Sequence, residues 1–268
     1  MADRHDQTPA HPGRDRTGLL AEGRDVVLAH GDHVAVAASA FRIPAGAVTA
    51  VIGPNGSGKS TLLHALAGLL EPRSGQLTVT GAARRRLAYV MQSVTAPPGV
   101  PITVRTAVGM GRYTTLGWWR PRARADKERI DWAMRRLDIA ALADRHLSEL
   151  SGGQRQRVFV AQGLAQEHDA LLLDEPLTGL DIVSARTIDA IVHSEQAHGH
   201  AVVLTTHDLA EAHAADHVIL MNGRVIAEGP PERALTRQNL EVAYGLGALH
   251  DSPVHSAAGT DRRFPGAC

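Results

Sequence analysis

The amino-acid sequence predicts an α/β fold: a mainly parallel sheet flanked by helices, with an N-terminal antiparallel β subdomain and an inserted α-helical subdomain. Three observations carry this expectation. Val48–Ile52 is a short β-branched run, followed by the glycine-rich stretch Gly53–Ser60 and then by Leu62, Leu63, Ala65, Leu66, Leu69 and Leu70 at helical spacing. Ala170–Leu173 and Ala201–Thr205 are near-continuous apolar runs, the composition of parallel strands buried on both faces. Residues 103–141 carry helical periodicity and no strand signal, as an inserted block should.

Residues 1–22 are polar and are expected to form a disordered tail. Val26–Ile43 reads as an antiparallel hairpin turning at Gly31-Asp32, and Pro44-Ala45-Gly46 as the turn into the next strand. Pro72 and Gly75 break the chain after the first helix. Leu77–Thr80 then alternates as a strand ending at Gly81, and Leu87–Met91 is another, closed by Gln92. Residues 96–101 read as a Pro/Gly-rich linker and residues 117–121 as an irregular loop. Thr103 is expected to cap a helix reaching Gly111, and Asp126 a helix with Ile130, Met134, Leu137 and Ala141 on one face. Ser151 is the expected N-cap of a helix continued by Val158, Ala161, Leu164 and Ala165. An amphipathic helix over 184–195 follows, then a helix capped by Asp208. A hairpin of Val218–Met221 and Val225–Glu228 turns at Asn222-Gly223, and a small helical region starts at Pro230-Pro231. The expected partition is a tail over 1–22, a core over 23–92 and 160–245, a helical subdomain over 93–159, and a flexible tail over 246–268.

Hydrophobic residues make up 44% of the chain and aromatics only 3%, so the core has to be built from Ala, Val, Leu and Ile. The formal net charge is zero, which gives no basic field for nucleic acid or anionic lipid, and no nucleic-acid partner is expected. The single cysteine, Cys268, excludes an internal disulfide framework and fits a reducing compartment. No window approaches the ~20 apolar residues of a membrane helix, and Met1–Thr17 lacks the apolar centre of a signal peptide. Of the 15 histidines, His198 and His200 flank Gly199 and read as a loop before a strand rather than as a ligand pair.

The residues Gly53, Pro54, Asn55, Gly56, Ser57, Gly58, Lys59 and Ser60 fit the pattern G-x-x-x-x-G-K-[S/T], with Thr61 next. Glycines let consecutive N–H groups point inward at an anion, and the helix starting near Lys59 adds its positive end. Lys59 is expected to reach the β- and γ-phosphates of a nucleoside triphosphate, and the Ser60 hydroxyl to ligate Mg²⁺. Like charges ~4 Å apart repel by about 4 kcal/mol at an effective dielectric of ~20, so loop, lysine and metal have to act together.

Gln92, Leu150–Gln154, Leu171–Glu175, Leu180-Asp181 and His207 follow this loop in that order. Singly, Gln92 reads as a strand-end polar residue, Leu150–Gln154 as a capped helix start and His207 as a satisfied histidine. Together they resemble the ATP-binding subunit of an ABC transporter, over about Val26–Gly245. The resemblance implies a P-loop NTPase (RecA-like) core, with ATP and Mg²⁺ as cofactors. It implies that Asp174 holds Mg²⁺ and that Glu175 is the general base for the attacking water. Gln92 would sense Mg²⁺ and the γ-phosphate, and His207 would hydrogen-bond that phosphate. Ser151, Gly152, Gly153 and Gln154 would complete the site of a second copy, with Asp181 at the seam of an isologous homodimer. Family members usually stack adenine on an aromatic residue just before a glycine in the first hairpin. Here His30 stands in that place, and an imidazole covers less area; His33, or no residue, are the alternatives.

Thr103-Val104-Arg105, Gly109–Tyr113 and Trp118–Pro121 resemble the ATPases of zinc/manganese-type importers, and iron-chelate, haem and cobalamin importers share part of this pattern. The implied protein is a cytoplasmic subunit on the inner face of the cell membrane, docked to a separate permease that an extracytoplasmic substrate-binding protein feeds. An exporter motor and a soluble non-transport ABC ATPase are the alternatives. A single phosphate loop and the lack of a sustained heptad run weigh against the latter.

Overall fold

A computed structural model of the chain describes residues 18–80, 86–92, 101–113 and 123–245. Strands β1 (Leu19–His30) and β2 (His33–Pro44) form the expected hairpin around Gly31-Asp32. With β4 (Ser74–Val79) on the other side of β1 they make an antiparallel sheet of order β2-β1-β4. The second sheet comprises β3 (Val48–Ile52), β5 (Leu87–Val90), β6 (Ala170–Leu173), β7 (Ala201–Thr206), β8 (His217–Met221) and β9 (Val225–Gly229), in order β5-β6-β7-β3-β8-β9. Every neighbouring pair in it is parallel except β8 with β9.

The period-two alternation of these strands splits the core into two layers. Val48, Ala50, Ile52, Leu171, Leu173, Val202, Leu204, Val218 and Leu220 face one layer. Val51, Ala170, Leu172, Ala201, Val203, Ile219 and Met221 face the other. That second layer is closed by α1 (Lys59–Leu66) and by Val26, Leu28, Val36, Phe41 and Ile43 of the antiparallel sheet. The first is closed by α2 (Val104–Met110), α3 (Arg124–Arg136), α4 (Gly152–Ala165) and α5 (Ile182–Ala197). Beyond β7 come α6 (Leu209–Ala214), α7 (Pro231–Ala234) and α8 (Arg237–Tyr244). Both faces of the central strands are therefore covered, which is why they read as apolar runs.

Several boundaries depart from expectation. Leu19–Glu22, placed in the N-terminal tail by sequence, belong to β1: Leu20 and Ala21 are buried, and Ala21 pairs with both Ile43 and Val79. Gly75 is not a terminator but lies inside β4, at φ +79, where a Cβ would come within 2.1 Å of the Asp25 carbonyl oxygen. Ala123, not Asp126, occupies the N-cap of α3; Asp126 stands three residues in and its carboxylate accepts from the Ala123 N–H at 2.8 Å. The apolar face of α3 ends at Leu137, because Asp138 turns left-handed at φ +51 and leaves Ala141 exposed. The expected boundary at 159/160 falls inside α4, one continuous helix shared by the helical block and the core. The expected linker over 96–101, apart from Pro101, and the loop over 117–121 lie outside the described residues, as do the two tails before residue 18 and after residue 245.

Arg112 ties the helical block to the core. Its side chain is buried, with Nε donating to Asp126 at 2.8 Å and Nη1 to the Ala165 carbonyl at 3.1 Å.

Candidate active site

The site sits at the C-terminal edge of the parallel sheet, where β3, β7 and β6 end side by side. β3 runs into the loop Gly53–Gly58, and Gly58, at φ +95, is the N-cap of α1. At that position a Cβ would meet Val36 and the Ala35 carbonyl, so only glycine lets the antiparallel subdomain approach this closely. Gly53 is as tightly placed, with a Cβ there lying 2.1 Å from the Met221 carbonyl oxygen.

The Lys59 side chain is buried and curls back on its own loop, Nζ donating to the Gly53 carbonyl at 2.8 Å and to that of Pro54 at 3.1 Å. Burial lowers its pKa, and the opposing pull of Glu175 and Asp174 offsets this only in part. An anion in the loop would restore the balance. Ser57 Oγ is buried and has no hydrogen-bond partner among the described residues. An unpartnered loop hydroxyl and a desolvated cation fit a phosphate guest.

Asp174 follows β6 directly. Its Oδ1 accepts from Ser60 Oγ at 3.1 Å and from Thr205 Oγ1 at 2.6 Å. The Tyr89 hydroxyl lies 3.5 Å from the other oxygen, and burial, reinforced by Asp174, raises that phenol far above its ordinary range. The donor set offered by Ser60 and Asp174 is all oxygen, which suits a hard cation such as Mg²⁺.

Glu175 has φ +46, a left-handed conformation uncommon for this residue type. Two contacts hold it there: its N–H donates to Thr205 Oγ1 at 2.8 Å, and its Oε2 accepts from Gln92 Nε2 at 2.5 Å. Gln92 therefore directs its amide nitrogen at the carboxylate. The loop from Asn55 to Thr61, with Ala35, Gln92 and Glu175, lines a cleft of about 420 Å³.

Other residues singled out in the sequence lie outside this lining. Ser151 caps α4 through a reciprocal pair, Gln154 N–H to Ser151 Oγ at 3.2 Å and Ser151 N–H to Gln154 Oε1 at 3.0 Å. Asp181 caps α5 by accepting from the Ser184 N–H at 2.9 Å, and that bond holds its carboxyl below the usual range. Gly153 lies between the two helix starts; a Cβ there would stand 2.5 Å from Asp181 Oδ2. His207 is exposed just past β7. His30 is exposed beside the loop, its Nε2 3.3 Å from Thr61 Oγ1, and His33 is its exposed partner across the hairpin. Thr205 and Tyr89, which both meet the Asp174 carboxylate, escaped sequence reasoning. A hydroxyl near the end of an otherwise apolar strand was the available signal for Thr205.

Residues 36–178 match the family model described as ABC transporter. The chain belongs to the ABC transporter family. The zinc transport system ATP-binding protein TroB of Treponema pallidum is 40% identical over 234 residues, 85% of this chain and 88% of that protein. The chelated iron transport system membrane protein YfeB of Yersinia pestis is 36% identical over 243 residues, 88% of this chain and 82% of that protein. The manganese transport system ATP-binding protein MntB of Listeria innocua is 35% identical over 239 residues, 87% of this chain and 98% of that protein. A solved ATP-binding cassette of an ABC transporter superimposes with a TM-score of 0.74 at 25% identity, covering 86% of this chain and 99% of that one. As an ABC transporter ATPase, the chain binds and hydrolyses ATP. Among the described residues no helix is long and apolar enough to cross a membrane.

Proposed function

We propose that this ABC ATPase is the motor of an importer for zinc or manganese ions, working as a homodimer beneath a separate membrane permease on the inner face of the cell membrane. The observation that carries the motor reading is the convergence of Lys59, Ser60, Asp174, Glu175 and Gln92 on one sheet edge and one cleft. Lys59 exchanges its two loop carbonyls for the β- and γ-phosphates of ATP. Ser60 and Asp174 hold Mg²⁺, which when bound neutralises phosphate charge. Glu175 accepts the proton of the attacking water, and Gln92 reports the state of the γ-phosphate to the helical block. His207 donates to the γ-phosphate, and His30 covers the adenine.

Ser151–Gln154 and Asp181 stand apart from the cleft of their own chain, which supports their use on the nucleotide of a second copy. Isologous pairing gives two such composite sites. The permease docks at a groove of about 220 Å³ lined by Tyr89, Met91, Met110, Phe159 and Gln162, Met91 being the chain neighbour of Gln92. The two flexible methionines of this surface suit it to a partner helix. An extracytoplasmic binding protein delivers the metal to the permease.

Zinc and manganese rest on the relatives' names and on the kinship of the helical block; YfeB makes chelated iron the alternative. A deletion strain grown under metal chelation decides among them. Rescue by zinc or manganese is expected. Rescue by iron alone moves the substrate to the alternative, and growth indifferent to all metals contradicts the importer reading.

A further inference from the structure

The ends of β6 and β7 opposite the nucleotide cleft hold a second cluster of chemistry. His168 lies two residues before β6, His200 one residue before β7, and Glu195 on the last turn of α5. All three are buried, at 4%, 6% and 1% exposure. One oxygen, Glu195 Oε2, faces both rings: His168 Nε2 at 3.0 Å and His200 Nδ1 at 2.5 Å. The three ligand atoms all lie within 4.8 Å of one another, and the two rings meet edge-on with centroids 5.0 Å apart. His198 and His200, which read in the sequence as a loop before a strand rather than as a ligand pair, take different partners in the structure. His198 turns back to the Ser194 carbonyl at 2.5 Å, while the parallel pairing Ala170↔Ala201 brings His200 to His168.

Three features mark this as more than an internal hydrogen-bonded group. His168 Nδ1 stands 3.1 Å from the Gln166 carbonyl, which can only accept, so that nitrogen carries a proton and Nε2 is directed into the cluster. Anchoring the far ring nitrogen on a backbone carbonyl is how metal-ligating histidines are held. Two imidazole nitrogens and a carboxylate, converging from three separate segments, form a donor set suited to zinc and its neighbours and poorly suited to Mg²⁺. Finally, metal–ligand bonds of ~2.0–2.2 Å place tetrahedral ligand atoms about 3.3 Å apart. Glu195 Oε2, at 3.0 and 2.5 Å from the two ring nitrogens, is already near that spacing, and the ring nitrogens lie within 4.8 Å of each other.

We propose that His168 Nε2, the Glu195 carboxylate and His200 Nδ1 form a site for one divalent transition-metal ion of zinc-like preference, separate from the nucleotide site. A water completes the fourth position. The site joins three segments: the α4–β6 connection, the end of α5 and the start of β7. It also borders the helical block, since Arg136 of α3 donates to Ser194 Oγ, next to Glu195, at 2.5 Å. Metal binding there staples these core segments together beside the helical block. The proposal holds whatever ion the permease carries.

The test uses the full chain, stripped of metal and free of nucleotide, in excess Mg²⁺. Calorimetry with Zn²⁺ is expected to show one tight equivalent per chain that Mg²⁺ does not displace, and Co²⁺ to give the visible absorption of a tetrahedral site. Glu195→Gln and His200→Asn are expected to weaken zinc binding by more than the ~10–100-fold that loss of an outer-shell partner costs. His198→Asn, on the exposed neighbour, should leave it unchanged. Because a core substitution can unfold the chain, X-ray absorption of the unsubstituted zinc form is the independent readout, with two imidazoles in the shell expected. No zinc uptake by the unsubstituted chain, a shell without two imidazoles, or full binding in both folded variants overturns the proposal.

Discussion

Gln92 Nε2 donates to Glu175 Oε2 across 2.5 Å, joining the segment that leaves β5 to the acid that follows Asp174. Glu175 is also held at φ +46, a backbone state that costs of order 1–3 kcal/mol outside glycine and persists only where the surroundings over-determine it. A carboxylate fixed from both ends is preorganised to orient water. Glu175→Gln is expected to lower ATP turnover by ~10²–10⁴-fold, the span of general-base catalysis, while ATP affinity by calorimetry stays unchanged. Turnover at the parental rate would show that another group takes the proton.

Thr205 acts on both acids at once, donating to Asp174 and accepting from the Glu175 N–H. Thr205→Val strands the Glu175 N–H and leaves Asp174 Oδ1 with the Ser60 hydroxyl alone. Destabilisation of ~1–3 kcal/mol in denaturant melts is expected, with kcat falling more than ATP affinity. Thr205→Ser should recover both, because it keeps the hydroxyl. Failure of that rescue would show that the hydroxyl alone does not carry the effect.

Among the described residues the hydrogen bonds of Lys59 Nζ go to the carbonyls of its own loop, so Lys59→Ala is expected to leave the fold intact and to remove the cation meant for phosphate. Hydrogen bonds involving charged groups are worth ~1.5–3 kcal/mol, so ATP binding should weaken by at least ~10-fold. Equal affinities in a side-by-side titration would count against the phosphate-loop assignment.

Gly153 separates two helix starts, and an added methyl meets the carboxylate that caps α5. Gly153→Ala should displace Asp181 and destabilise the chain by about 1 kcal/mol, the usual worth of an N-cap. Association driven by ATP should weaken with it. A variant that melts and associates like the parent would mean that this contact yields at no cost.

The parts of the fold legible in the sequence are those written locally. Leu171–Leu173 and Val202–Leu204 are apolar because both faces of their strands are covered. Thr103, Ser151 and Asp208 announce helix starts because a side-chain oxygen is needed there. Gly53–Ser60 is legible because close approach and positive φ demand glycine at set intervals. What the sequence hides is non-local. Leu19–Glu22 become strand only because β2 and β4 supply partners on both sides. Thr205 matters through β6, and His200 through His168, and neither pairing leaves a mark at short range.

Two copies are expected to close on two ATP molecules, each lending Ser151 and Gly153 to its partner's phosphate loop. Sedimentation of the Glu175→Gln chain, with and without saturating Mg-ATP, tests it most directly. A dimer that forms only with nucleotide, and that a further Ser151→Arg substitution abolishes, is the expected result. A chain that stays monomeric with nucleotide bound, even beside its permease, would contradict it.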